Sequence, residues 1–238
     1  MIPLRDLEKR PGIPIVTALL VAVNVAVWIY LLTLVDRESA MNAFYRRWAF
    51  DPFALFSALK DGQVTAEALA PLLTHQFLHS GWLHIAGNML FLWVFGAAVE
   101  QRIGRVRFLL FYLFAGCVAA LTQGFFQVWT FERGGLVGAS GAISGVLGAY
   151  LVLAPMARVR ALVPVGLFIT PMTLPAILIL GEWFALQIVS VLGVLRIVGD
   201  ETAHVAYFAH VGGFAFGALL FGAGRIAARL GRLRPQPA

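Results

Sequence analysis

The sequence predicts an all-α integral membrane protein, a bundle of six transmembrane helices. Of its 238 residues, 60% are hydrophobic and 13% are charged, whereas soluble domains contain about 25% charged residues. The mean hydropathy is +0.84, and apolar runs of about 20 residues alternate with short basic clusters. Because the formal charge of +6 sits in those clusters, it indicates membrane topology and argues against a nucleic-acid partner.

The first predicted span covers residues 13–35 and follows a charged segment. It is too long for a signal-peptide core and lacks an obvious cleavage site of small residues, so we expect a retained anchor. Residues 36–81 mix charged side chains with large apolar ones. This composition is typical of a segment in the membrane interface, and we predict an interfacial first loop.

The next three predicted spans cover residues 82–99, 108–129 and 140–153. The last of these is short, since a complete crossing needs about 20 residues. A short helix is possible here only if its start lies below the membrane surface and is covered by protein. We therefore expect Ser140, the first residue of this span, inside the membrane-embedded body.

The remaining chain completes a single predicted domain over residues 1–238. An irregular apolar connection leads to a fifth span at 172–195, and a sixth span at 203–223 precedes a basic tail at 225–238. The single cysteine, Cys117, excludes a disulfide framework.

The basic residues predict the orientation of the bundle. With six spans, twelve Lys and Arg fall on the side of the two termini and six on the other side. This asymmetry predicts cytoplasmic termini, and we expect a bacterial cytoplasmic (inner) membrane. Ser140 and His210 then both lie near the non-cytoplasmic ends of their helices.

A serine and a histidine at similar depth suggest nucleophilic catalysis. A serine hydroxyl is a weak nucleophile until a base accepts its proton, and histidine suits that role at neutral pH. His210 is the favoured base, because small residues follow it on one helical face at Gly213 and Gly217. His204 lacks such a face and is the weaker candidate.

The fourth span carries a matching set of small residues around Ser140, namely Gly141, Gly145 and Gly148. Glycine faces let membrane helices approach closely, so packing these two faces would bring Ser140 and His210 within hydrogen-bond distance. The alternative is that the glycines serve packing alone.

Acyl transfer also needs hydrogen-bond donors for the oxyanion that develops in the transition state. His84 and Asn88 are four residues apart and share one helical face. Together with the backbone amide of Ser140 they could form such a cradle, or they could simply link helices.

Other interpretations remain open for the remaining polar residues. His75 and His79 could form a metal pair, although neither a third ligand nor an HExxH motif is evident. Glu182 is a charge in the fifth span and keeps a small transporter possible. No carboxylate has the spacing of a third triad member, so a hydrolase here is predicted to use a dyad.

Several motifs, in this order and spacing, resemble those of the rhomboid intramembrane serine proteases over residues 14–224. The motifs are His84-x-x-x-Asn88, Glu100-x-x-x-Gly104, Gly138-Ala139-Ser140-Gly141, the stretch from Pro175 to Gln187, and Ala209-His210-Val211-Gly212-Gly213.

The resemblance implies a six-helix protease that needs no cofactor and cleaves single-span or multi-span membrane proteins within the lipid bilayer. It implies that Ser140 is the nucleophile, that His210 is the general base, and that Gly138 shapes the turn before the nucleophile. His84, Asn88 and the Ser140 amide match the oxyanion donors of the family, and the fifth span matches its lateral gate.

The chain departs from the family pattern at Ser144. Many members have an aromatic residue there, one turn after the nucleophile, that packs on the catalytic imidazole. In this chain the Ser144 hydroxyl or a neighbouring helix could hold His210 instead. A catalytically idle rhomboid-like protein that binds membrane helices is the alternative function.

Overall fold

The protein is an integral membrane protein with the predicted helical bundle. A computed structural model describes residues 1–8, 12–131, 133–196 and 206–232. Five of its helices are long and apolar enough to cross a membrane, and a shorter apolar helix lies among them. The helices of these spans are α1 (Ile15–Leu32), α6 with α7 (Trp82–Phe91 and Ala97–Ile103), α8 (Arg105–Thr130), α9 (Ser140–Leu153), α10 (Ala176–Arg196) and α11 (Tyr207–Arg232).

The first loop, residues 36–81, folds into short helices. They are α2 (Glu38–Trp48), α3 (Pro52–Lys60), α4 (Ala66–Leu69) and α5 (Pro71–Thr74), followed by a 3₁₀ turn at His75–Phe77. Asp51 caps α3, since its carboxylate accepts hydrogen bonds from the amides of Phe53 and Ala54. The loop is anchored to the bundle by the buried ring of Phe50 and by its backbone pairing with Leu136.

The second span extends to Ile103, four residues beyond the sequence-based estimate. A π-helical turn at Leu92–Gly96 joins α6 to α7, and Gly104, at φ 85°, separates α7 from α8. Glu100 on α7 accepts hydrogen bonds from the amides of Val16 and Thr17 at 3.0 and 2.7 Å. These are amides of the first turn of α1, where backbone donors lack helical partners, so Glu100 fixes the start of α1.

Helix α9 is the core of the bundle. Residues 141–150 are all buried, and α9 packs against both α8 and α11. It spans Ser140–Leu153, the same 14 residues as the predicted fourth span.

A three-stranded antiparallel sheet forms part of the fold, which the sequence did not predict. Its strands are β1 (Ile2–Asp6), β2 (Arg158–Val165) and β3 (Phe168–Pro175), in the order β1-β2-β3. Gly166, at φ 60°, makes the tight turn between β2 and β3. The segment expected to be irregular is therefore a hairpin, and α10 begins at Ala176 instead of residue 172 because residues 172–175 pair with β2.

The last two helices differ from the predicted spans at their ends. The predicted start of the sixth span, residues 203–205, lies outside the described residues, and α11 continues through Arg232, into the predicted tail. Glu182 on α10 lies 3.2 Å from the amino nitrogen of Met1. The charge that kept a transporter possible is therefore in an ion pair within the fold.

Candidate active site

Ser140 and His210 lie within hydrogen-bond distance of each other. The Ser140 hydroxyl is at the first residue of α9, and its Oγ is 2.8 Å from Nε2 of His210 in the first turn of α11. Both residues are partly exposed. This is the spacing of a nucleophile and a base that accepts its proton.

Close packing of α9 on α11 produces this contact. A methyl group built on Gly213 or Gly217 would overlap with the carbonyl oxygen of Gly141 or Gly145, respectively. The two backbones therefore meet where the sequence placed two glycine faces, and side chains larger than hydrogen would push them apart.

The turn before Ser140 depends on Gly138. This residue has φ 122°, a conformation that L side chains rarely adopt. A Cβ atom at this position would lie 2.7 Å from Nε2 of His84. Gly138 thus allows the His84 ring to approach the serine turn, while Ser80 Oγ lies 3.1 Å from the other ring nitrogen of His84.

Asn88 carries a buried donor without a hydrogen-bond partner among the described residues. The residue is buried and lies one helical turn after His84 on α6. Its Nδ2 finds no hydrogen-bond partner within the described part of the chain. A buried amide donor is costly to leave unpaired.

Two residues of α10 hold His210, and neither was predicted from the sequence to have a role in the site. Gln187 Oε1 lies 2.8 Å from Nδ1 of His210, and the ring centroid of Trp183 lies 5.9 Å from that of His210. The Ser144 hydroxyl instead donates to the carbonyl of Ser140 at 2.6 Å. A neighbouring helix therefore supports the imidazole. The sequence signals for Gln187 are its place at the end of the Pro175–Gln187 motif and its polarity within an apolar run.

The remaining histidines do not suggest a metal centre. No group of three or more His, Cys, Asp or Glu residues is placed to hold a metal among residues 1–8, 12–131, 133–196 and 206–232. His79 is buried and packs against His84, with a ring-centroid distance of 5.0 Å, and His75 Nδ1 lies 2.8 Å from the carbonyl of Pro71. His204, the weaker base candidate, lies outside the described residues.

Burial keeps the two histidines of the first loop neutral. Desolvation lowers the pKa of His75 to about 4 although hydrogen bonds to backbone groups act in the opposite direction. Desolvation, together with the nearby His84, lowers the pKa of His79 to about 3. Both values are below the ordinary 6.5, so acid should favour the unfolded chain.

We expect the free energy of unfolding to fall as the pH drops from about 6.5 towards about 4. In this window the unfolded chain binds protons at both imidazoles and the folded chain does not. Each group then removes up to about 1.4 kcal/mol of stability per pH unit. Unfolding in detergent micelles at about pH 7 and about pH 5 measures the slope, and His75→Gln and His79→Gln should each reduce it. An unchanged slope in both variants would contradict the assignment.

The family model and the relatives that match this chain all carry the name rhomboid. A family model described as "Rhomboid domain" matches residues 66–225. The chain is 36% identical over 149 residues to "Rhomboid protease GluP" of Bacillus subtilis, covering 63% of this chain and 25% of that protein. It is 30% identical over 192 residues to "RHOMBOID-like protein 1" of Arabidopsis thaliana, covering 74% of this chain and 43% of the relative. It is also 35% identical over 89 residues to the human "Presenilin-associated rhomboid-like protein, mitochondrial", covering 37% of this chain and 24% of the relative. The chain thus spans less than half the length of these curated relatives.

Proposed function

The chain belongs to the rhomboid family, and on that basis we propose that it is an intramembrane serine endopeptidase. It hydrolyses peptide bonds in or near the transmembrane helices of other membrane proteins. The observation that carries the proposal is the 2.8 Å contact between Ser140 Oγ and His210 Nε2 at the partly exposed start of α9.

The proposed reaction proceeds through an acyl-enzyme. His210 Nε2 accepts the proton of Ser140 while Oγ attacks the scissile carbonyl carbon, and the imidazolium then gives that proton to the leaving amine. In the second half, His210 accepts a proton from water as the hydroxide attacks the ester carbon. Cleavage of the ester bond releases the new carboxyl terminus, and the proton returns to Ser140.

Three donors are proposed to stabilise the oxyanion of each tetrahedral intermediate: the side chains of His84 and Asn88 and the backbone amide of Ser140. When Ser80 donates to Nδ1 of His84, Nε2 of that ring carries the proton and faces the turn at Gly138. The unpartnered Nδ2 of Asn88 supports this role. Each donor is worth about 10²- to 10³-fold in rate, as in soluble serine proteases.

The location and substrates are part of the same proposal. The excess of Lys and Arg on one side supports cytoplasmic termini, with the site opening to the opposite side of a bacterial cytoplasmic membrane. The mitochondrial location in the name of the human relative is the alternative.

We propose that α10 is the lateral gate through which single-span or multi-span substrates enter, because its exposed side chains are large and apolar: Leu178, Leu186, Val189 and Leu192.

A fluorophosphonate probe tests the proposal directly, because it phosphonylates only an activated serine. We expect labelling of the wild-type protein at Ser140, identified by mass spectrometry of the modified peptide, and loss of labelling in His210→Ala. Absence of labelling in folded wild-type protein would favour the catalytically idle alternative. Equal labelling of wild type and His210→Ala would show that His210 does not activate Ser140 and would contradict the proposed dyad.

A further inference from the structure

The group that holds the proposed base comes from a different helix than the base itself. Gln187 lies in the second half of α10, and its side-chain oxygen is 2.8 Å from Nδ1 of His210. The opposite ring nitrogen, Nε2, is 2.8 Å from Ser140 Oγ. The three side chains therefore form a continuous chain of hydrogen bonds across α10, α11 and α9.

This arrangement selects one protonation form of the imidazole. A neutral histidine carries one N–H, and an amide oxygen can only accept. With Gln187 Oε1 as acceptor, the proton sits on Nδ1 and the lone pair of Nε2 faces the serine hydroxyl. The opposite tautomer would place an N–H against Ser140 and a lone pair against Oε1, so His210 could not act as a base.

The same contact becomes stronger during the reaction. When His210 accepts the serine proton, both ring nitrogens carry hydrogens, and Nδ1–H donates to Oε1 from a charged group. Charge-assisted hydrogen bonds are roughly twice as strong as neutral ones. A glutamine achieves this without placing a further charge within the membrane, where a carboxylate would be costly.

The packing around His210 makes α10 its support. The Trp183 ring packs on the imidazole from the same helix as Gln187, and Trp183 and Phe184 both stack on Phe214 of α11. Ser144 is engaged with the Ser140 carbonyl and so does not reach the imidazole. In this chain the aromatic side chain that packs on the imidazole therefore comes from α10 and not from α9.

We infer that Gln187 is a positioning residue that orients His210 and fixes its tautomer, so that the site works as a Gln187-His210-Ser140 relay. The inference rests on the proposed protease function. It assigns to an uncharged side chain of α10 the role that an aspartate has in soluble serine proteases.

The first test replaces Gln187 with methionine, which has a similar length and no hydrogen-bond acceptor of comparable strength. We expect kcat for a transmembrane substrate to fall roughly 10- to 100-fold, with KM unchanged. Without the acceptor, a fraction of the molecules would carry the imidazole proton on Nε2, and His210 could not accept the serine proton in that fraction. Val106→Met, at an exposed position on α8 outside the proposed gate, is the control for introducing a methionine and should keep wild-type kcat.

The second test replaces Gln187 with glutamate and follows the pH dependence of kcat/KM. A carboxylate at Nδ1 keeps the oxygen acceptor and also stabilises the imidazolium. We therefore expect Gln187→Glu to be more active than Gln187→Met near neutral pH, with the acid limb of its profile displaced to higher pH. A residue that served packing alone would leave that limb in place.

Probe labelling separates this inference from the proposed function. If wild-type Ser140 is not labelled by the fluorophosphonate, the protease proposal itself has failed. If wild type is labelled and Gln187→Met matches Val106→Met in kcat, or if Gln187→Glu has the wild-type pH profile, only the relay is overturned. Should Gln187→Met not fold, the glutamate profile still decides the question.

Discussion

Replacing Ser140 with alanine is expected to lower kcat for cleavage of a transmembrane substrate by roughly 10⁴- to 10⁶-fold. The hydroxyl is the proposed nucleophile, and no second hydroxyl lies within hydrogen-bond distance of His210 among the described residues. His210→Ala should cost a similar factor, and the double variant little more, because the two residues act as one unit. Cleavage of a reconstituted model substrate in liposomes, quantified by product mass, measures all three rates.

Ser144→Ala is the matched control for this prediction. Ser144 lies one turn further along α9, is buried, and donates to the Ser140 carbonyl. Its removal should leave the rate within about tenfold of wild type, since the Ser144 hydroxyl bonds to the backbone carbonyl of Ser140 and not to its hydroxyl, its amide or the imidazole. If His204→Ala abolished cleavage and His210→Ala did not, the general base would be His204 and the proposed role of His210 would be wrong.

The placement of Ser140 could be predicted because its signals are local. A short apolar run opened by Gly138 and closed before Pro155 sets the bounds of α9. The glycines on α9 and α11 repeat at helical spacing, so the sequence also predicts that these two helices pack with their glycine faces together.

The sheet could not be predicted in this way. Residues 158–175 are largely apolar, and hydropathy alone does not separate a buried strand from a membrane helix. One of the two pairings of β2 is with Ile2–Asp6, more than 150 residues earlier in the chain. Only the tertiary fold specifies such a contact.

The contacts of Gln187 and Glu182 were hidden for a related reason. Each is an isolated polar residue in an apolar helix, and its partner depends on how α10 is rotated against the bundle. That rotation brings Gln187 to His210 and Glu182 to Met1. The sequence marks such residues as costly in a membrane, but it does not name the partner that offsets the cost.

A large loss of stability and activity is expected from crowding the interface between α9 and α11. A Cβ atom on Gly217 would overlap with the carbonyl oxygen of Gly145, a backbone atom that cannot move aside as a flexible side chain can. Gly217→Ala should therefore force α11 away from α9. We expect it to lower the free energy of unfolding by about 3 kcal/mol, and to lower the cleavage rate further by separating His210 from Ser140.

Gly222→Ala on the same helix is the control for that prediction. A Cβ atom there meets nothing within 4 Å, so the substitution adds helix propensity without a clash and should raise stability by up to about 1 kcal/mol. Unfolding in mixed micelles and substrate cleavage, measured on both variants, separate crowding at the interface from a general effect of removing glycine. Equal stability of the two variants would mean that the close approach of α9 and α11 does not hold the dyad together.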